Sequence, residues 1–269
     1  YGCFLTADCR KVPLVLVAVL LSACASAPTA PPYPAFIAAD ELPDAFVAAL
    51  PGVRAKQLSL DPRTQRASYR IAIPADWSFS TGAAPIHSVE IYVLAGELTV
   101  GGFDLAPGGY IYIPPGMSGI SMSSAGGALV LQNYDESDPA AVIGTPLVSS
   151  SELIAWQPVD IGISIKELRR DPGSGARTWL MKVDPEAVVP FQVSSQKVEG
   201  YLVDGSVMWS ECVAGLSSTE EYQAGGYFNR PPGAVHGGPE TITRAGATWF
   251  LRVLAEEKIE VVDGCPSAE

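Results

Sequence analysis

The chain is 269 residues long, 48% hydrophobic and 17% charged, with 29 acidic against 17 basic side chains and a net charge of −12. That apolar content is enough for one large core or two ordinary ones, and the acidic balance repels nucleic-acid phosphates and anionic lipid headgroups, so no nucleic acid is expected as a partner. With 26 Gly, 23 Pro and no long helical periodicity, the composition reads as all-β, with many short strands joined by tight turns.

At the N-terminus, Arg10 and Lys11 precede an apolar run from Val12 to Leu21, followed by Ser22, Ala23 and Cys24. The run is too short to span a bilayer as a mature helix and has the layout of an export signal. Leu21-Ser22-Ala23-Cys24 resembles the lipobox of bacterial lipoproteins, which implies that residues 1–23 are removed and that a lipid on Cys24 anchors the chain to a membrane. An ordinary secretory signal cut near Ala27 is the alternative reading. Ala25 after the cysteine resembles the pattern of outer-membrane lipoproteins, which implies a place in the bacterial cell envelope, facing the periplasm. Residues 24–42, with their prolines, read as an extended tether. Beyond residue 23 the chain has 15 basic and 28 acidic residues, net −13.

Pro43 to Leu50 reads as a short helix stopped by Pro51-Gly52. From there the chain repeats itself. Asp61-Pro62 and Asp171-Pro172 each open a turn between strand-like runs. Val89-Glu90-Ile91-Tyr92 leads to Gly96 as Val198-Glu199-Gly200-Tyr201 leads to Gly205. Gly108-Gly109-Tyr110 leads to Pro114-Pro115-Gly116 as Gly225-Gly226-Tyr227 leads to Pro231-Pro232-Gly233. The landmarks keep one order, so a duplicated domain is expected, residues 43–143 and 157–269, with 144–156 as a linker. Ser210 to Glu221 reads as a longer hairpin loop in the second copy. Cys212 and Cys265, in an oxidising compartment, are expected to pair and tie the C-terminal tail to the second copy; a reactive or metal-binding cysteine is the other possibility.

At these landmarks the sequence resembles the cupin superfamily, in particular two-domain relatives of the anti-sigma-factor type cupins and cupin-like lipoproteins. The family motifs are G-x5-H-x-H-x3,4-E-x6-G and G-x5-P-x-G-x2-H-x3-N. The resemblance covers nearly all of residues 52–262. It implies two tandem double-stranded β-helix (jelly-roll) barrels, each able to hold one divalent metal (Fe, Mn, Ni or Zn) through its histidines and glutamate, and it makes a homodimer an expected assembly.

In the first copy Ala83, Pro85, Val89 and Gly119 stand where that family has its ligands, so this barrel is expected to be a scaffold or a dry pocket. His87 shares the strand parity of Val89 and reads as a hydrogen-bonded structural histidine, and Glu90 points away. In the second copy Gly225, five residues, Pro231, Pro232, Gly233, Ala234, Val235 and His236 match the second motif, whereas Gln192, Ser194 and Val198 replace the ligands of the first. Strand alternation then aims Gln192, Ser194, Gln196 and Val198 inward with His236. These line a neutral cavity suited to a small polar ligand.

A metal at His236 needs Glu199, which reaches the interior only if the strand slips by one residue; Tyr201 and Glu211 are weaker partners. No G-x-S-x-G, HExxH or GxxxxGK[ST] motif is present, and paired inward carboxylates are absent. Two functions therefore compete. One is a lipid-anchored binding protein whose second barrel holds a small polar molecule through Gln192, Ser194, Gln196 and His236. The other is a metal-dependent oxygenase or isomerase using His236 with Glu199, Gln192 or Gln196. A purely structural envelope component is the third reading.

Overall fold

The computed structural model of the chain describes residues 33–80, 85–213 and 216–266. The expected export signal, Cys24, the tether up to residue 32 and Ala83 lie outside the described residues. The first strands are β1 (Ile37–Ala38), β2 (Asp44–Ala45), β3 (Arg54–Asp61), β4 (Arg66–Ile73), β5 (Trp77–Ser80) and β6 (Ser88–Gly96). They continue as β7 (Leu98–Val100), β8 (Phe103–Leu105), β9 (Gly109–Ile113), β10 (Ser121–Ser124) and β11 (Ala128–Asp135). Next come β12 (Leu147–Ser150), β13 (Gln157–Asp160), β14 (Ile163–Arg170), β15 (Arg177–Val183), β16 (Gln192–Ser194) and β17 (Val198–Val213). The last are β18 (Leu216–Gln223), β19 (Gly226–Arg230), β20 (Val235–His236), β21 (Ala247–Val253) and β22 (Ile259–Val261). Two 3-10 turns, Ala39–Glu41 and Ser151–Leu153, are the only helical segments among the described residues.

The fold is all-β, as the composition predicts. One barrel combines a sheet in the order β12-β9-β6-β11-β4-β3-β2 with a smaller one in the order β5-β10-β7-β8. The other is built on β13-β14-β15-β21-β17-β20-β16-β22, with β18 and β19 also on β17. Strands alternate between two faces. In β6, Val89, Ile91 and Val93 enter the first core with Ile71, Ile111 and Val130, while Glu90 and Tyr92 turn to the other barrel. In β21, Trp249, Leu251 and Val253 enter the second core, while Phe250 and Arg252 face the first barrel. Gly96 and Gly205 end the paired Val-Glu-x-Tyr runs at φ +72 and +84, and a Cβ on either would stand 2.1 Å from a carbonyl oxygen, of Gly127 or Gly246. Only glycine fits there.

The two barrels exchange their first strands. Ile37 and Ala38 of β1 pair with Tyr227 and Gly226 of the second barrel, and Ser149 and Ser150 of β12 pair with Tyr110 and Gly109 of the first. The matching continues one residue on, where Ala39 N–H donates to Gly225 O at 3.0 Å and Ser151 N–H to Gly108 O at 2.9 Å. Residues 33–42 and 144–156, read as tether and linker, therefore contain strands. Each copy begins about ten residues earlier than expected. A proline-rich extended segment and an edge strand occupy the same backbone region, so composition does not separate them.

Pro43–Leu50 is not a helix either. Asp44 and Ala45 pair with Lys56 and Ala55, and one turn, Leu50 N–H to Val47 O, buries both apolar side chains in the first core. Eight residues stopped by Pro-Gly are too few to sustain a helix without packing. Ser210–Glu221 extends two paired strands, with Ser210 opposite Thr219 and Cys212 opposite Ser217, in place of the expected long loop.

Between the barrels lies an apolar layer that includes Tyr92, Tyr110, Leu131, Leu180, Tyr201 and Phe250, and within it a buried charge network. Glu90 of the first barrel accepts from Arg169 Nη1 at 2.6 Å and Thr178 Oγ1 at 2.7 Å of the second. Glu199 of the second accepts from Ser59 Oγ at 2.8 Å and Ser68 Oγ at 2.9 Å of the first. By strand register Ser59 is the counterpart of Arg169 and Ser68 of Thr178. The repeated glutamates thus occupy equivalent positions and each is held by the opposite copy. Arg252 joins them, with Nη1 on Glu199 Oε2 at 2.9 Å and Nη2 on Asp135.

Candidate functional site

Alternation in the second barrel turns Trp179 and Met181 of β15, Val198 and Trp209 of β17, Phe228 and Arg230 of β19, and Trp249 and Leu251 of β21 toward one cavity of about 380 Å³. β16, β20 and β22 complete the wall with Gln192, Ser194, His236, Ile259 and Val261. Gln192, Ser194 and His236 therefore share one cavity. Gln196 and Glu199 do not line it. Gln196 uses its backbone N–H to donate to Ser194 Oγ at 3.0 Å, and Glu199 faces the first barrel, because the strand keeps the register that aims Val198 inward.

The lining differs in character from the neutral polar pocket expected. Three tryptophans, a phenylalanine and several aliphatic side chains form much of it; Gln192, Ser194 and His236 lie on β16 and β20, and Asp160, Arg177, Arg230 and Glu257 add charged groups from other parts of the wall. The expectation followed one strand, 192–200, whereas the aromatic residues arrive from β15, β19 and β21 and from the far part of β17. The readable signal was the alternation Trp249, Leu251, Val253, with Phe228 and Arg230 at the same parity on β19.

His236 is 5% exposed and nearly parallel to Trp209, at 6.2 Å between ring centroids and 17° between planes. Its Nδ1 lies 3.2 Å from Ala234 O. A carbonyl only accepts, so the proton sits on Nδ1. Nε2 is left as acceptor for the Gln192 side-chain nitrogen, 3.2 Å away. Burial, reinforced by the charge of Arg230, holds the imidazole pKa well below its usual 6.5, against a smaller upward pull from the Ala234 carbonyl. His236 is a neutral hydrogen-bonded ring at physiological pH.

Arg230 lies against the Phe228 ring, 4.0 Å from its centroid. Its Nε and Nη2 form a fork on Glu211 at 3.1 and 2.6 Å. Glu211, fully buried, also accepts from Tyr33 OH at 2.5 Å, so the exchanged N-terminal arm reaches a side chain of the cavity wall through one carboxylate. On the opposite edge Ser194 Oγ donates to Glu257 Oε1 at 2.7 Å. Cys212 and Cys265 are joined by a disulfide, which ties the tail that follows β22 to the β17 hairpin. In the first barrel His87 Nε2 donates to Thr64 O at 3.2 Å, and the interior is filled by apolar side chains.

A divalent cation asks for three or four N or O donors around one point. Of the four positions where cupins carry ligands, the second barrel has Gln192, Ser194, Val198 and His236, and the one imidazole nitrogen suited to a metal is engaged by an amide. Tyr201 faces the first barrel, and both Glu199 and Glu211 are saturated by arginine. Among the described residues no group of three His, Cys, Asp or Glu side chains is placed to hold a metal ion. The donor set does not fit the metal that the fold accommodates elsewhere.

A family model described as the ChrR Cupin-like domain matches residues 145–255, a span that begins just before β12 and ends just after β21. It supports the cupin superfamily for that copy. No curated relative matches the chain. Among solved structures, a candidate dioxygenase from Nostoc punctiforme PCC 73102 superposes with a TM-score of 0.70 at 19% identity, covering 84% of this chain and 85% of that one. Protein Ylba from E. coli gives 0.64 at 16% identity over 84% and 92%. An oxalate decarboxylase from Bacillus subtilis gives 0.62 at 14% identity over 87% and 80%. At such identities the likeness establishes the fold alone.

Proposed function

We propose that the chain is a binding protein whose second barrel encloses a small, largely apolar molecule without a metal centre, and whose first barrel is a filled scaffold that braces it. The observation that carries this reading is the cavity of about 380 Å³ walled by Trp179, Trp209, Phe228 and Trp249, with room for about a dozen waters at roughly 30 Å³ each. Concave aromatic walls with a few fixed polar groups are what small-molecule sites offer. Gln192, Ser194 and His236 orient the ligand; Gln196 and Glu199 have other tasks. We place the chain at the bacterial cell envelope, held there by a lipid on Cys24.

The fold also houses enzymes such as the oxalate decarboxylase, so the test compares both readings. Metal analysis of protein purified without its first 23 residues is expected to give less than about a tenth of an equivalent, with no loss of stability under chelator. Solvent extraction is expected to release a small organic molecule or to leave a pocket that takes one up. Stoichiometric metal that vanishes in His236→Ala would establish the metal-dependent enzyme instead.

A further inference from the structure

Resting on the pocket reading above, we infer that the ligand carries a single aliphatic chain. Its end fills the second barrel where the first barrel is filled by its own polypeptide, and its remainder leaves over an apolar lip between β13 and β22. The two copies differ at one connection. Ala45 on β2 pairs with Ala55, and Gln157 on β13 pairs with Ile165, equivalent steps in the frame that aligns Asp61 with Asp171. After Ala45 the first copy ends its ladder and sends the chain inward. Val47 and Leu50 enter the core, and Trp77 Nε1 donates to Pro51 O at 2.8 Å. The second copy continues to pair as far as Asp160 and Ile163, and turns at Ile161 and Gly162. No aliphatic plug comes from this hairpin, and its Val159, Ile163 and Ile165 border open space instead.

Val159, Ile259 and Val261 line the cavity and are each more than half exposed, which marks them as its mouth. Beyond them the apolar surface goes on. Gly162 O accepts from Asp184 N–H at 2.8 Å, and a Cβ on Gly162 would stand 2.7 Å from that of Ala187. The turn is thus pressed against the 184–188 loop, and Ile161 and Val188, each one residue from that contact, stand 90% and 65% exposed. Exposed aliphatic side chains gathered at the edge of a cavity mark a surface that a ligand covers. A compact ligand inside the barrel leaves this lip in water, whereas a chain long enough to reach it does not. A polypeptide is the less suited occupant, because its buried peptide groups need partners, while Gln192 is bonded to His236 and Ser194 to Glu257. Methylene groups ask for none.

The test titrates hexyl, octyl, decyl and dodecyl maltoside, each below its micelle concentration, into the protein lacking its first 23 residues. A compact apolar probe, 2-acetylnaphthalene, reports the same cavity. Calorimetry is expected to give one site per chain, displacement of the probe, and affinity that rises at least about twofold per methylene as far as dodecyl. Complete burial would give roughly fourfold, and the lip stays partly wet. Ile161→Ser combined with Val188→Ser is expected to cut dodecyl affinity about tenfold and so flatten the chain-length slope. Its melting temperature, which surface substitutions move little, reports that it has folded. Leu153→Ser, likewise an exposed aliphatic position but outside the cavity lining, should leave the slope as it is. Affinity that does not rise from octyl to dodecyl, or a slope that Leu153→Ser flattens as much as the lip variant, overturns the inference and leaves the pocket standing if the probe still binds. Tighter binding of a synthetic peptide of residues 45–53 overturns it too, by making the occupant a polypeptide. Binding of neither the probe nor any maltoside overturns both readings.

Discussion

The side-chain nitrogen of Gln192 stands 3.2 Å from Nε2 of His236, so the ring nitrogen free to take a cation is already taken by a hydrogen-bond donor. With this pair formed, the intact Pro-x-Gly-x2-His segment of the second copy brings one imidazole and, among the described residues, no second histidine, cysteine or carboxylate ligand to the point where a cation would sit. Burial, with the charge of Arg230 nearby, keeps His236 a neutral base. Below about pH 6.5 the unfolded chain binds a proton that the fold refuses, so stability is complete above that pH and falls as pH drops toward the depressed folded value, by at most about 1.4 kcal/mol per pH step of one. Urea denaturation between pH 7 and 5 is expected to show this slope in the parent and a flatter one in His236→Gln. Equal slopes would contradict the neutral buried ring.

Glu199 gives an effect in a different pH window. Burial alone would raise its carboxyl, but Arg252, with Lys197, Tyr227 and Ser59, holds it down to about 2. Because the folded value lies below the unfolded one, its contribution is present above pH 4.5 and lost as pH falls toward 2. Glu199→Gln at pH 7 breaks a buried pair and leaves Arg252 short of a partner, a loss of about 3–5 kcal/mol. Chemical denaturation checks it, and an unchanged midpoint would mean that the network between the barrels does not hold them together.

Tyr33 lies in the arm read from sequence as tether, yet its hydroxyl serves Glu211 beneath the cavity wall. Tyr33→Phe removes a hydrogen bond to a charged acceptor and is expected to lower stability by about 1.5–3 kcal/mol. It should also weaken probe binding in the second barrel, since Glu211 fixes Arg230. Loss of stability with unaltered probe affinity would separate the arm from the site.

The disulfide between Cys212 and Cys265 spans a separation of 53 residues, for which chain-entropy reasoning gives about 4 kcal/mol. Replacing both cysteines with serine is expected to lower the melting temperature and to loosen β22, whose Ile259 and Val261 line the cavity. Faster probe dissociation in that variant is the expected kinetic signature. A parent-like dissociation rate would mean that β22 stays in place without the link.

Legibility from sequence followed the range of the interactions. Strand alternation and the repeated landmarks were local, and they correctly put Val198 inside and Glu199 outside. What Glu199 and Glu90 do outside was not readable, because each is satisfied by residues of the other copy, 131 positions away for Ser68 and 79 for Arg169. The exchange of β1 and β12 was hidden for the same reason, since an extended segment does not announce its partner. The pocket's position near His236 was legible. Its aromatic character was not, because it is assembled from strands up to 70 residues apart, Trp179 to Trp249.

The most direct test of a metal-free apolar pocket is a titration of 2-acetylnaphthalene in chelator against the parent and against Met181→Trp, which fills the cavity from a half-buried position on β15. One site per chain in the parent, with affinity reduced at least about tenfold in the variant, a change of about 1.4 kcal/mol, is the predicted result. Unchanged binding in Met181→Trp, or binding that appears only when a divalent metal is restored, would contradict it.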